Sequence, residues 1–230
     1  MEPADQSATP MTHADSGTDQ TVNPFLLNAV PYTLSAGQRI YSVFKRLFDF
    51  LISLIALLLL IVPFLIIALF IRSESKGPVI FRQERVGKGG KLFTIFKFRT
   101  MFQEAPSAVA TGDFEDSAKY ITRVGRFLRR TSLDELPQLF NVFLGDMSLI
   151  GPRPLILEER RIHLFRQAHH IYLVRPGITG NAQVNGRDDI TFEDKMERDL
   201  EYLHHFSFWM DLKILLKTFV VVFNRDGVAF

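Results

Sequence analysis

Residues 50–71 contain no ionisable side chain, whereas elsewhere the apolar positions come in shorter periodic runs broken by polar residues. As a helix rising ~1.5 Å per residue, this run would reach roughly 33 Å, about one bilayer core. It lies far from Met1 and lacks a small-residue cleavage pattern, so it does not read as a secretory signal peptide. Lys45 and Arg46 precede it and Arg72 and Lys76 follow it, and basic flanks favour the cytoplasmic side at both ends. Pro63, near the middle, removes a backbone donor and crowds the preceding turn, which predicts a kink or a break there. Two arrangements fit: a kinked helix that crosses, or a helix-break-helix that dips into one leaflet and returns. In the second, the carbonyls freed near Leu59 and Leu60 must find partners within the protein. Both place the chain in a membrane.

The remaining pattern is mixed. Residues 1–22 are polar with almost no large apolar side chains, the pattern of a disordered segment. Residues 24–40 read as a lead-in lying against the protein or the lipid surface. Two β-prone runs, 78–82 and 91–99, bound Gly87-Lys88-Gly89-Gly90 and predict a hairpin with a basic loop. Residues 103–119 form a polar, acidic excursion. Helical periodicity returns at 123–130, 136–144, 155–171, 192–206 and 208–223. The last run is apolar most of the way round but carries Asp211, Lys213 and Lys217, so it reads as interfacial rather than spanning.

Composition narrows the chemistry. There is no cysteine, which excludes disulfides, thiolate metal sites and thiol nucleophiles. The net charge is only +2, yet basic residues crowd the stretch after the apolar run. Of these, Arg82, Arg85, Lys88 and Lys91 read as a solvated face beside anionic headgroups. Lys97 and Arg99, deeper in the Phe-rich strand, are better candidates for ligand phosphate. No aromatic-basic platform or recognition helix supports nucleic-acid binding.

Three segments could carry chemistry. In Ser132-Leu133-Asp134-Glu135-Leu136-Pro137, the proline belongs in a first helical turn, which sets Asp134 and Glu135 beside a helix start. Ser132 followed by Glu135 is also a capping box, an ordinary stabilising pattern. Neighbours on a helix point about 100° apart, so the pair suits gripping one phosphate or one divalent cation better than sharing a proton. Gly151-Pro152-Arg153-Pro154 holds a single arginine between prolines, either as a phosphate fork or as a plain turn. The stretch from Arg175 to Arg187 is rich in glycine and amides, and its backbone N–H groups could line an anion site. The adjacent pairs His169-His170 and His204-His205 lack ligand spacing and read as solvated or lipid-facing.

In this order, behind a proline-broken apolar helix with basic flanks, these stretches resemble the monotopic phosphoglycosyl transferases, the bacterial sugar transferase family that begins polysaccharide or glycoconjugate assembly. Lys45-Arg46-Leu47-Phe48-Asp49 and Lys97-Phe98-Arg99-Thr100-Met101 add to the match, which covers about residues 42–227. The resemblance implies an α+β, mostly helical fold: a re-entrant membrane helix broken at Pro63, a small β-hairpin, and amphipathic interfacial helices around the active site. It divides the chain into a loosely ordered extension (1–40), the membrane helix (41–76) and a catalytic domain on the cytoplasmic face (77–230). It further implies a UDP-sugar donor, a polyprenol phosphate acceptor, magnesium at Asp134 and Glu135, and a location in the bacterial inner membrane. A homodimer is compatible with it. Asp134 would attack the sugar-bearing phosphate, expel UMP and hand the phosphosugar to the lipid phosphate. Lys97 and Arg129 would bind phosphate, Arg153 and Arg187 would hold the nucleotide sugar, and Asp199 would be a further functional carboxylate. The alternatives are a single-step transferase in which Asp134 only binds metal, and a non-catalytic membrane-anchored binding module. Two positions depart from the family pattern: Val62 stands where serine is frequent, and Asn181 where tryptophan is frequent.

Overall fold

The computed structural model describes residues 31–105, 117–186 and 191–224. The expectations for residues 1–22, for most of 103–119 and for Arg187 fall outside the described residues. The first helix, α1 (Ala36–Leu59), begins well before the apolar run because Ser35 and Gln38 cap it reciprocally: the serine hydroxyl accepts the Gln38 N–H, and the Gln38 amide oxygen accepts the Ser35 N–H. Leu60 separates α1 from α2 (Ile61–Glu74), with a bend of 62°. The break therefore lies at Leu60, not at Pro63. A proline ring collides with the carbonyl four residues back, here that of Leu59, so the interruption precedes it, and Pro63 sits in the first turn of the new helix where its missing N–H is tolerated. Phe64 N–H still reaches the Leu60 carbonyl at 2.8 Å. Among the described residues no single helix is long and apolar enough to cross a membrane; the bent pair meets that length and composition together.

Both limbs of the pair dock on the same body. On α1, the Arg46 guanidinium donates to the carbonyls of Val142 and Phe143 at 2.6 and 2.8 Å, and Asp49 accepts the Leu149 N–H at 3.1 Å. On α2, Ile71 packs with Phe98 and Leu128. The Glu74 carboxylate accepts the Arg123 and Val124 N–H groups at 2.7 and 2.8 Å, and so caps the next long helix. Between the docked ends, Ile55, Leu58, Leu59, Val62, Leu65 and Leu69 are exposed.

The hairpin forms as expected, with β1 (Ile80–Val86) antiparallel to β2 (Leu92–Phe98) in the register Ile80↔Phe98 to Val86↔Leu92. A short α3 (Ser117–Tyr120) precedes α4 (Arg123–Thr131), and α5 (Gln138–Leu144) follows a single 3-10 turn. Asn141, fully buried on α5, extends the sheet with its side chain: its amide donates to the Thr94 carbonyl at 2.7 Å and its oxygen accepts the Phe96 N–H at 3.0 Å. α6 (Arg160–Ala168) is shorter than the periodicity of 155–171 suggests, because Leu155 is extended and accepts the Val86 N–H at 3.1 Å.

The two Pro/Gly-rich segments come together as a two-stranded parallel sheet of β3 (Ser148–Ile150) and β4 (Gly177–Thr179). Gly177 N–H donates to the Pro152 carbonyl and Gly151 N–H to the Thr179 carbonyl, both at 2.9 Å. These donors belong to the ladder and its flanks, so they do not line an anion nest. A Cβ on Gly177 would lie 2.1 Å from the Gly151 nitrogen, which explains glycine there. After β4 come α7 (Asn181–Val184), α8 (Phe192–His204) and α9 (Phe208–Asn224). Phe165, Met196, Tyr202, Leu203, Met210 and Ile214 form the main core, with Tyr32, Leu34 and Tyr41 packed against it. The described part of the lead-in, from residue 31, thus lies on the protein. On α9, Phe208, Trp209, Leu216, Phe219 and Val220 are exposed opposite buried Met210, Asp211 and Ile214.

Candidate active site

α4 ends at Ser132, whose φ of 56° places it in the left-handed region. One 3-10 turn, Leu133–Glu135, then leads to Pro137 at the N-cap of α5. Leu133 and Leu136 pack on the Ile71–Phe98–Leu128 cluster, which pins both ends of the turn and leaves Asp134 and Glu135 half-buried between them. The capping box does not form. A Ser132 in left-handed geometry terminates one helix instead of capping the next, it makes no side-chain cap bond, and Glu135 pairs with Lys97 instead.

The two carboxylates differ electrostatically. Burial alone would push Glu135 up, but Lys97 and Arg153, with hydrogen bonds from Lys97 and Gln138, outweigh it and hold the carboxyl below its ordinary value. Lys97 Nζ donates to Glu135 Oε1 at 2.7 Å. Asp134 moves the other way: burial, then the neighbouring Glu135 charge, raise it, and Lys97 and Arg129 only partly offset them. Asp134 lies in the 3-10 turn that precedes α5. Arg129 donates from Nε to Thr100 Oγ1 at 2.9 Å and is lowered by burial, against the pull of Asp134.

Lys97, Glu135, Gln138, Arg153, Pro154 and Gln183 border a cleft of about 230 Å³. Arg153 is exposed, but its main chain is held at two successive carbonyls: Arg166 Nη1 donates to the Arg153 carbonyl at 2.7 Å, and Arg85 Nη1 to the Pro154 carbonyl at 3.3 Å. Arg166 in turn is fixed by Asp199, with Nη2 to Oδ2 at 2.5 Å and Nε to the same oxygen at 3.1 Å. Asp199 is 2% exposed, and its carboxyl is raised by burial against the pull of Arg166. Asp199 does not border the cleft; its contact with it runs through Arg166 to the Arg153 carbonyl.

Arg99 also departs from expectation. Its Nη1 donates to the Lys76 carbonyl and its Nη2 to the Ser75 carbonyl, both at 2.8 Å, so it fastens the end of α2 and is not placed in the cleft. Gln183 borders the cleft although the sequence pattern did not single it out, and Arg85, read as part of a solvated face, stands behind the cleft on the Pro154 carbonyl. Burial, then the Arg153 charge, pull Arg85 down to about 10, and its Nε is buried without a hydrogen-bond partner. Alternation along β1 sets Arg85 on the face opposite the exposed Arg82 and Glu84, a signal that the grouping of these residues as one solvated face overlooked. Gln183 keeps a buried amide oxygen without a partner while its Nε2 donates to the Ile178 carbonyl at 2.9 Å. Asn181, at the position where tryptophan is frequent, faces inward to the Arg198 carbonyl and Glu201 at 3.0 and 2.9 Å. His204 and His205 are exposed, and His169 stacks on Phe165.

Asp134 and Glu135 are two adjacent half-buried carboxylates, the donors available here for a divalent cation that completes its shell with water and substrate phosphate. Among the described residues no group of three or more Asp, Glu or His side chains gathers into an all-protein cage.

Comparison with known proteins places this arrangement in context. A family model described as bacterial sugar transferase matches residues 40–225. The chain is 42% identical over 186 residues to the uncharacterized sugar transferase EpsL of Bacillus subtilis, covering 81% of this chain and 90% of that protein. It is 40% identical over 197 residues to the undecaprenyl-phosphate galactose phosphotransferase of Salmonella typhimurium, covering 80% of this chain and 41% of that one. With the UDP-glucose:undecaprenyl-phosphate glucose-1-phosphate transferase of Klebsiella pneumoniae it shares 43% over 197 residues, covering 82% and 42%. The chain therefore spans most of the first relative and about two fifths of the other two.

Proposed function

The chain belongs to the bacterial sugar transferase family, and from that premise we propose that it moves a sugar 1-phosphate from a UDP-sugar to polyprenol phosphate in the bacterial inner membrane and releases UMP. The observation that carries this reading is the half-buried Asp134–Glu135 turn at a cleft bordered by Lys97 and Arg153, with Arg129 beside Asp134. An Asp134 carboxylate oxygen attacks the phosphorus that bears the sugar. The bond from that phosphorus to the UMP oxygen breaks, leaving a phosphosugar ester on Asp134. An oxygen of the lipid phosphate then attacks the same phosphorus, and the carboxylate departs as it began. Lys97, Arg129 and Arg153 hold the charge that builds on the phosphoryl oxygens, where fixed cations in a half-buried cleft act more strongly than in water. The Lys97 pairing keeps Glu135 ionised beside Asp134, so the two carboxylates hold different environments and can hold different roles. Asp134 and Glu135 would hold magnesium, which offsets negative charge between carboxylate and phosphate when bound.

The lipid acceptor requires the cleft to lie at the headgroup plane. Support comes from the α1–α2 pair, whose ends both fasten to one body while the bent apolar middle stays uncovered, the geometry of a helix that enters one leaflet and returns. Trapping tests the covalent step. With labelled donor and no acceptor, label stays on the wild-type protein with stoichiometric UMP release, and Asp134→Asn takes up none. Lipid-linked sugar formation by Asp134→Asn at the wild-type rate would overturn the assignment of Asp134, and acceptor-dependent UMP release without labelled protein would favour direct transfer.

A further inference from the structure

A second cavity lies on the other side of β3–β4, where the first limb of α1 meets the hairpin tip and the segment before β4. Lys45, Arg46, Asp49, Lys88, Ser148 and Arg175 border this pocket, which is open to solvent. Most of these groups are already engaged. Lys45 is neutralised by Asp211, Arg46 caps the last carbonyls of α5, and Asp49 receives the Leu149 N–H. What remains is a set of donors. Arg175 donates only from Nε, to the Gly145 carbonyl at 2.9 Å, which leaves both Nη groups without a protein acceptor among the described residues. The Lys88 ammonium has none either. The Ser148 hydroxyl, on a residue 1% exposed, is buried with no hydrogen-bond partner, a condition native structures rarely leave unanswered.

The charges agree with the geometry. Lys88 is lowered by burial and then by Arg175, and Arg175 by burial and then by Arg46. Three cations thus lie close enough to disfavour one another, with Asp49 and Asp146 as partial compensation for Arg175. A guanidinium fork, a lysine point charge and a hydroxyl donor together match a tetrahedral oxyanion.

We propose that this cavity binds a phosphate-type anion through the Nη groups of Arg175, the Lys88 ammonium and the Ser148 hydroxyl, separately from the catalytic cleft. The anion can come from a lipid headgroup, since Lys45 and Arg46 lead straight into the apolar run, or from free phosphate in solution. The site does not depend on the proposed transfer reaction.

The test uses the full chain in nanodiscs, in a Lys97→Gln background that weakens anion binding in the catalytic cleft. Inorganic phosphate is titrated against the thermal midpoint in phosphatidylcholine discs, with sodium chloride at matched ionic strength as the control. In parallel, discs containing phosphatidic acid are compared with pure phosphatidylcholine. Stabilisation beyond the chloride control is expected, and Lys88→Gln and Ser148→Ala should each weaken it, raising the half-saturating phosphate concentration about tenfold. A response to phosphatidic acid but not to free phosphate identifies the headgroup as occupant, and the reverse identifies the soluble anion. The proposal is overturned if neither probe exceeds the chloride control, or if both substitutions leave the response unchanged. UMP release by the protein with Lys97 intact, measured alongside, keeps a failure of the transfer reading separate from a failure of this one.

Discussion

Asp134 and Glu135 adjoin in sequence yet are perturbed in opposite directions, so their stability effects have opposite signs. Asp134 is raised above its ordinary 3.8, so its ionised form is disfavoured by folding, and that cost sets in as pH rises above 3.8. Glu135 is held below its ordinary 4.5, so its contribution is present above 4.5 and is lost as pH falls through its lower folded value. At pH 7.5, Asp134→Asn should therefore raise the thermal midpoint while abolishing transfer, and Glu135→Gln should lower it. Calorimetry at pH 7.5 and pH 3.5 checks the sign, since both differences should shrink at the lower pH. Asp199 acts through Arg166 on the Arg153 carbonyl, so Asp199→Asn should raise the donor KM about tenfold, equivalent to 1.4 kcal/mol of lost positioning, with a smaller change in kcat. Steady-state UMP release measures both. At this scale the sequence pointed to the carboxylate pair and to Lys97, because a proline just inside a helix and a lysine within a β-prone run leave clear signals. It read Arg99 as a phosphate ligand and Arg85 as solvated, whereas both guanidinium groups meet backbone carbonyls, a distinction that residue type alone does not reveal.

Two close approaches fix the elements that carry the site. Asn141 supplies the hydrogen bonds of a missing strand residue to Thr94 and Phe96. Asn141→Leu leaves that N–H and carbonyl unpaired and should cost about 3 kcal/mol, a fall in thermal midpoint of roughly 6–12 °C. Gly125 on α4 lies against the Thr100 backbone, where an added Cβ would sit 2.0 Å from the carbonyl oxygen. Gly125→Ala must push α4 away from Thr100, whose hydroxyl orients Arg129, so UMP release should fall along with stability. The helices and the hairpin were legible because their periodicity and turn glycines are local. The extended Leu155 and the β3–β4 pairing were not, because each depends on a strand distant in the chain; the break at Leu60 is set locally, by the ring of Pro63 against the Leu59 carbonyl.

For the whole molecule, the bent apolar pair is the most consequential arrangement, and the lack of cysteine makes its proposed return within one leaflet simple to test. Single cysteines at Arg39 and Lys76 should both react with an impermeant maleimide in inverted inner-membrane vesicles and neither in right-side-out spheroplasts. Labelling from opposite sides would mean a crossing helix. The Glu74 cap has a mechanical corollary: the last turn of the returning limb grips the first turn of α4, and α4 runs directly into the Asp134 turn. In the proposed membrane setting, the depth of the α1–α2 bend in lipid would thus be linked through this cap and α4 to the Asp134 turn. Turnover in bilayers of graded acyl-chain length should peak at one thickness and decline on either side, and Glu74→Gln, which loosens that linkage, should flatten the dependence.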